Sequence, residues 1–312
     1  MSFDLYFCWG AERLGDACLL RHMDDLPNTT ASQSDDGKLR QFEYVGPATG
    51  VYCLFDLASE VEGDGHDGPS LPGGYVQSGL SVSINFLRPH FFALEIMPIV
   101  AGIADALDLT VYDPQAELMY ERGTSPDVLV GSWISHNDSV TRGLAMNVDP
   151  IRKPYLPRDQ ALYWWCYMRD LERYQAEVGE DIFIPSLVFL SDGESRVLPT
   201  VIWPAEERGR HFWRSRFPLP QVFPRCALVM LVWGDPAREG LKKVTIPYPV
   251  VMDCLAALLE DIDGPVDGLR VLRPLRQGAA VAIFDALSAL PSVDYCQIDP
   301  DGFVDVGLET VS

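Results

Sequence analysis

Basic residues are scarce in this sequence of 312 residues. Lys and Arg number 24 against 45 Asp and Glu, which gives a formal net charge of −21 at pH 7. Affinity for nucleic acid comes largely from clustered Lys and Arg side chains that neutralise phosphates. The composition therefore excludes nucleic-acid binding as the main activity, and we expect no nucleic-acid partner.

Long apolar segments are missing as well. A membrane-spanning helix requires about 20 consecutive apolar residues, whereas the apolar stretch 96–107 is shorter and contains Pro98 and Asp105. The N-terminal sequence MSFDLYFCWG lacks the basic start of a secretory signal. The seven cysteines form no CxxC pair and lie mostly in apolar runs, which is typical of reduced, buried thiols. We expect a cytoplasmic protein with no membrane partner.

Compact catalytic and metal-binding motifs are also absent from the sequence. It contains no HExxH pair, no serine in a G-x-S-x-G elbow and no Walker-type phosphate loop. The string GDGHDG at 63–68 fits G-x-G-x-x-G, but Pro69 and Pro72 prevent the helix that a dinucleotide site needs directly after it. We predict no catalytic residue, no cofactor and no metal ion. The triplet His136-Asn137-Asp138 is the cluster that most resembles catalytic chemistry.

The hydrophobic pattern mixes strands and helices along the whole chain. Residues 79–87 alternate apolar and polar side chains, as in a half-buried antiparallel strand. Residues 92–107 repeat apolar side chains every three or four positions, as in a helix. Ser125-Pro126-Asp127 has the N-cap, the first-turn proline and the early acid of a helix start. The sequence predicts an α+β fold of mostly antiparallel sheets with packed helices.

The proline-rich stretch 148–158 is typical of a linker and predicts two mixed domains. We expect an acidic N-terminal α+β domain at 1–150 and a C-terminal α+β domain at 151–312. In the second domain, the apolar run 226–233 predicts a central strand and the aromatic-rich 159–178 predicts one helix. The turn Asp299-Pro300-Asp301-Gly302 predicts a C-terminal hairpin.

The acidic residues are concentrated in the first half of the chain. Residues 89–121 contain six acids and no Lys or Arg, and no Lys or Arg occurs between Asp56 and Phe86. Carboxylates at alternate positions of a loop can hold calcium, although the EF-hand spacing fails here. A solvated acidic loop explains these residues, and so does an acidic docking surface. We predict a partner-binding surface made by Asp56, Glu60, Glu62, Asp64 and Asp67.

Several strings of the first half resemble an uncharacterised family of bacterial proteins. They are MSFDLYFCW at the start, TGVYCLFD at 49–56, GLSVSINFLRPHFFALEIMPIV at 79–100, Asp113-Pro114-Gln115 and Gly131-Ser132-Trp133. The likeness covers residues 1–135, with a weaker match at IPSLVFL in the second half. That family is similar to immunity proteins encoded beside polymorphic or secreted antibacterial toxins. The resemblance implies a toxin inhibitor of a secretion-system-associated pair, and it supplies no active-site residues.

These observations lead to three hypotheses of function. The first is a toxin-neutralising immunity protein, not an enzyme, whose acidic surface binds a basic cognate toxin and occludes its active site. The second is a hydrolase-type enzyme with an interdomain site, suggested by the two-domain size and by the triplet at 136–138. The third is a scaffold or interaction protein, which an exposed aromatic patch around Trp164 and Trp165 would support.

Overall fold

The chain divides into two compact units, one of Met1–Arg152 with Val304–Ser312 and one of Lys153–Phe303. The computed structural model describes residues 1–10, 16–35, 37–58, 69, 71–146, 153–193, 195–208, 215–234 and 240–306. Both units combine helices with mostly antiparallel sheets, so the predicted α+β class is confirmed. The division predicted at residue 150 differs from the observed one in leaving 304–312 with the second domain.

The first unit is built on a seven-stranded antiparallel sheet with the strand order β2-β3-β4-β5-β1-β6-β7. Its strands are β1 (Ser2–Trp9), β2 (Thr29–Gln33), β3 (Leu39–Val45), β4 (Tyr52–Ala58), β5 (Val76–Asn85), β6 (Thr110–Asp113) and β7 (Leu118–Tyr120). Its helices are α1 (Asp16–Asp24), α2 (Phe91–Leu107) and α3 (Pro126–Ala145). Alternate residues of the central strands are buried, so the period of two seen in the sequence marks the face of the sheet that packs in the core.

Helices α2 and α3 begin where the sequence pattern predicts. Pro98 lies inside α2 without ending it, because the proline is exposed while residues such as Ile96 and Val100 bury the opposite face. Ser125 is confirmed as the N-cap of α3, since its Oγ accepts a hydrogen bond from Asp127 N at 3.3 Å. Strands β3 and β4 form an antiparallel hairpin.

Strand β2 has no strand signal in its sequence. The sequence TTASQ is largely polar and has no apolar stripe, and most of the strand is exposed. It forms because its backbone pairs with β3 at the edge of the sheet, from Thr29 opposite Tyr44 to Gln33 opposite Arg40. Pairing with a neighbouring strand therefore outweighs the local polar composition.

The second unit contains a six-stranded and a three-stranded sheet. The larger has the order β13-β12-β9-β8-β16 with β10 paired to β9, and the smaller has the order β11-β15-β14. The strands are β8 (Leu187–Ser191), β9 (Val197–Arg208), β10 (Ser215–Pro218), β11 (Gln221–Phe223), β12 (Leu228–Trp233), β13 (Lys242–Pro247), β14 (Leu259–Ile262), β15 (Leu269–Leu272) and β16 (Cys296–Ile298). The helices are α4 (Arg158–Arg169), α5 (Leu171–Val178), α6 (Tyr248–Leu255) and α7 (Gln277–Ser288). The predicted central strand is β12, which pairs with β13 and, in parallel, with β9.

The aromatic-rich segment forms two helices, α4 and α5, because the helical hydrogen-bond pattern is interrupted at Asp170. Its large aromatic side chains lie inside the second unit: Trp164 is 2% exposed, Trp165 7% and Tyr167 0%. The indole N–H of Trp164 donates to Leu187 O at 3.1 Å, which anchors α4 to β8. Trp164 and Trp165 therefore do not form the exposed patch that would support the scaffold hypothesis.

Of the predicted C-terminal hairpin, the described residues, which end at 306, contain the turn. Strand β16 pairs with β8, with Gln297 opposite Leu190, and the tight turn is present, with Gly302 N donating to Asp299 O at 2.9 Å. Up to residue 306, the chain after the turn is not paired with β16. Val304 and Val306 are buried and belong to the first unit, because burial of these apolar side chains outweighs local strand pairing.

Candidate functional site

The predicted acidic loop is described at one residue, Asp56. This residue lies in β4, half-buried, and its Oδ1 accepts a hydrogen bond from Gln41 Nε2 on β3 at 2.9 Å. The structure therefore gives the Asp56 carboxylate a cross-strand contact within the sheet. The other predicted binding residues, Glu60, Glu62, Asp64 and Asp67, lie outside the described residues.

An acidic surface is found instead where α2 ends and α3 begins. We call it the acidic end and define it by four exposed carboxylates, those of Asp105, Asp108, Glu121 and Asp127. Asp105 Oδ1 accepts a hydrogen bond from Gly123 N at 2.9 Å, and Asp108 Oδ1 lies 2.9 Å from Arg122 Nη1. These contacts hold the end of α2 beside the loop that leads from β7 to α3. The side chain of Asp108 remains 70% exposed in its pair with Arg122.

Two helix ends lie at the acidic end. The carboxyl end of α2 carries a partial negative charge of about half a unit and the amino end of α3 a partial positive charge of similar size, so the negative field comes from the side chains. Glu121 is fixed by two hydroxyl donors, Tyr75 Oη at 2.5 Å and Thr110 Oγ1 at 3.3 Å. Val128, beside Asp127, is 50% exposed. A partly exposed tyrosine and an exposed aliphatic side chain beside charges are typical of a binding surface.

The side chains of the triplet His136-Asn137-Asp138 contact different parts of the first unit from α3. His136 Nδ1 lies 2.9 Å from Ser132 O, and its ring packs 5.6 Å from the ring of Phe3. Asn137 is fully buried and contacts the segment that precedes α2, with its Oδ1 accepting from Leu87 N and its Nδ2 donating to Arg88 O, both at 2.9 Å. The structure therefore does not bring His136 and Asn137 together at one reaction centre.

Asp138, the third member of the triplet, contacts a histidine that the sequence pattern did not single out. His90 Nε2 lies 2.6 Å from Asp138 Oδ1, and His90 Nδ1 lies 3.3 Å from Asp305 Oδ1. The backbone N–H of His90 also donates to Asp305 Oδ2 at 3.0 Å. We call these three residues the His90 cluster. His90 and Asp305 are each 3% exposed, and the indole of Trp133 packs edge-on against the imidazole.

The geometry of the His90 cluster favours a structural role. A histidine acting as general acid or base must turn one ring nitrogen towards the substrate, whereas both nitrogens of His90 face carboxylate oxygens. The Nε2 contact is within hydrogen-bond distance of Asp138, and the longer Nδ1 contact lies at ion-pair distance from Asp305. Arg142 places a positive charge 3.6 Å from Asp138 Oδ2. The cluster ties α3 and the C-terminal segment to the start of α2.

Cysteine chemistry is suppressed by burial at several positions. Burial raises the pKa of Cys8 to about 12 and raises the pKa values of Cys53 and Cys226 as well. These groups are therefore thiols at neutral pH, whereas nucleophilic attack and metal binding require the thiolate. Within the described ranges, no group of three or more His, Cys, Asp or Glu side chains has the arrangement of a metal site. Among the helices of the same residues, none has both the length and the apolar composition to cross a membrane.

The motifs behind the family resemblance meet inside the first unit. Asp113 is buried, and its Oδ1 accepts from Gln115 N at 2.9 Å while its Oδ2 accepts from Ser132 Oγ at 2.7 Å. Trp133, next to that serine, is fully buried against His90. These strings therefore stabilise the fold. Comparison of the chain with protein-family models, curated proteins and solved structures finds no match in any of the three, and the relationship to immunity proteins stays a prediction.

Proposed function

We propose that this chain is an immunity protein, which binds a basic antibacterial toxin in the bacterial cytoplasm and occludes the active site of that toxin. The observation that carries the proposal is the acidic end, which has four exposed carboxylates and the guanidinium of Arg122, paired with Asp108. A surface of one charge sign steers an oppositely charged protein and raises its association rate.

The composition of the acidic end supports binding of a protein surface. Tyr75 and Val128 offer contact area beside the carboxylates, and the four acids are held by secondary-structure ends. Interfaces combine such a charged rim with aromatic and apolar anchors. The strings that resemble an immunity-protein family lie in the same unit and support the identity of the partner as a toxin.

Coexpression with the product of the neighbouring gene tests the proposal. We expect the two proteins to copurify and the toxicity of that product to disappear. The complex should associate faster at 50 mM than at 500 mM salt, because ions screen the attraction. The absence of a complex at low salt, together with unchanged toxicity, would contradict the proposal.

Two double variants, each lacking two carboxylate charges, test whether the acidic end is the binding surface. The variant D105N/D108N removes two charges from the acidic end, and each asparagine Oδ1 can still accept the hydrogen bond that the aspartate accepted. The control D253N/D285N removes two exposed charges from the second unit. We expect the association rate at low salt to fall by about tenfold in the first variant and by much less in the control. Equal effects in both would remove the acidic end as the binding surface.

A further inference from the structure

The second unit contains a cavity of about 760 Å³ that the proposed toxin binding does not use. It lies at the start of α4, beside the segment that joins β8 to β9 and the segment that precedes β12. Ligand pockets in proteins usually enclose about 300–1,000 Å³. The residues that decide its chemistry are Gln160, Tyr163, Trp164, Arg196, Arg225 and Cys226.

Arg225 is held in a defined position in the wall of this cavity. Its guanidinium lies over the ring of Tyr163, 5.3 Å from the centroid, and its Nε and Nη2 donate to Asp267 O at 3.2 and 3.1 Å. The backbone N–H of Arg225 donates to Tyr163 Oη at 2.9 Å. A Cβ at Gly268 would lie 2.8 Å from Arg225 Nε, so the glycine leaves room for this orientation. Such fixing reduces the entropy lost when the side chain binds a ligand.

The lining is positively charged although the whole chain is strongly acidic. Arg196 and Arg225 contribute two cations, and Asp159 is the one acid among the described lining residues. Neither arginine forms an ion pair with a carboxylate in the part of the chain that the structure describes. Burial raises the pKa of the Cys226 thiol, which therefore adds no negative charge at neutral pH.

The remaining walls are mostly apolar, with three aromatic side chains, Tyr155, Tyr163 and Trp164, among aliphatic ones such as Leu187 and Val197. The cavity is lined by Tyr163 and Trp164, and Trp164 is fixed by its hydrogen bond to Leu187 O and by the ring of Phe189, 4.6 Å away. Guanidinium groups bind carboxylates and sulfonates through parallel hydrogen bonds, and aromatic walls stack on planar rings. We propose that this cavity is a binding site for a small aromatic anion, whose acidic group contacts Arg196 and Arg225.

Two fluorescent probes of similar ring content test this site. 8-Anilinonaphthalene-1-sulfonate carries an anionic group, whereas N-phenyl-1-naphthylamine has the same rings without it. We expect saturable binding of one sulfonate probe per chain, with energy transfer from tryptophan. The replacement R196A should weaken sulfonate binding by about tenfold, the typical loss for a charge-assisted hydrogen bond, while the neutral probe changes less than about twofold.

Matched variants separate recognition from folding. R225Q tests the second cation, and R173A is the control, since Arg173 is an exposed arginine of α5 outside the cavity. Circular dichroism of each variant establishes that it is folded. If R196A is folded and binds the sulfonate probe as tightly as the unmodified protein, the proposal is wrong. It is also wrong if both probes weaken equally, because the cavity would then bind apolar rings without recognising the anion.

Discussion

Removal of the Asp305 carboxylate should destabilise the first unit more than any surface substitution. The variant D305A leaves the backbone N–H of His90 without its acceptor and takes away one of the two carboxylates that face the imidazole. The side chain of Asp305 is only 1% exposed, so water does not readily replace it. A buried N–H that loses its partner costs about 1–3 kcal/mol.

The loss at His90 N should dominate, because Asp138 still faces Nε2 of the imidazole in the variant. We therefore expect the free energy that opposes local opening of the first unit to fall by about 2 kcal/mol. That is a substantial fraction of the roughly 5–15 kcal/mol that stabilises a typical domain.

Amide hydrogen exchange measures this loss within the elements that the cluster joins. Peptides from α2 and α3 should exchange about thirtyfold faster in D305A than in the unmodified chain. The variant D294A removes an exposed aspartate from the second unit and should leave the same peptides unchanged. A change below about 1 kcal/mol in D305A would refute the structural role of the His90 cluster.

Three further predictions concern single residues. Replacing Asn137 by alanine should lower the free energy of unfolding in urea by about 2–4 kcal/mol, because Leu87 N and Arg88 O lose their hydrogen-bond partner. A loss no larger than that from replacing an exposed asparagine would contradict this. Ser125→Ala should destabilise α3 by about 1 kcal/mol, whereas Ser125→Asp should be nearly neutral, as seen by thermal unfolding. At pH 8, a thiol reagent should label the exposed Cys18 quickly and Cys8 only after unfolding, because burial raises the pKa of Cys8 to about 12 and disfavours its thiolate; rapid labelling of Cys8 in the folded chain would contradict its burial.

Local patterns predicted those elements whose signals lie within a few consecutive residues. The alternation of 79–87 is strand β5, Ser125 is the cap of α3, and the apolar run 226–233 is the central strand β12. Local patterns are limited where the partner of a segment lies outside it. The polar strand β2 has no strand signal of its own and is stabilised by pairing with the neighbouring strand β3. The described residues after Gly302 are unpaired with β16, and those from Val304 belong to the first unit.

The candidate sites show the same limit. Composition predicted an acidic surface, but Asp56 contacts Gln41 within the sheet, and the four other acids predicted beside it are outside the described residues. The acidic end depends on a fold that brings the end of α2 to the loop after β7. His90 carried no recognisable motif, since its partners are 48 and 215 positions away in the chain.

The sequence by itself determined the strong negative charge, the α+β class and the starts of the main helices, because these follow from composition and from hydrogen bonds between near neighbours. Only the tertiary structure shows that Asp138 and Asp305 both contact His90. Only the tertiary structure shows that the Arg225 guanidinium lies over the ring of Tyr163 in a cavity of this acidic protein. Such contacts join segments far apart in the chain. Their formation depends on how whole elements pack, which no local pattern encodes.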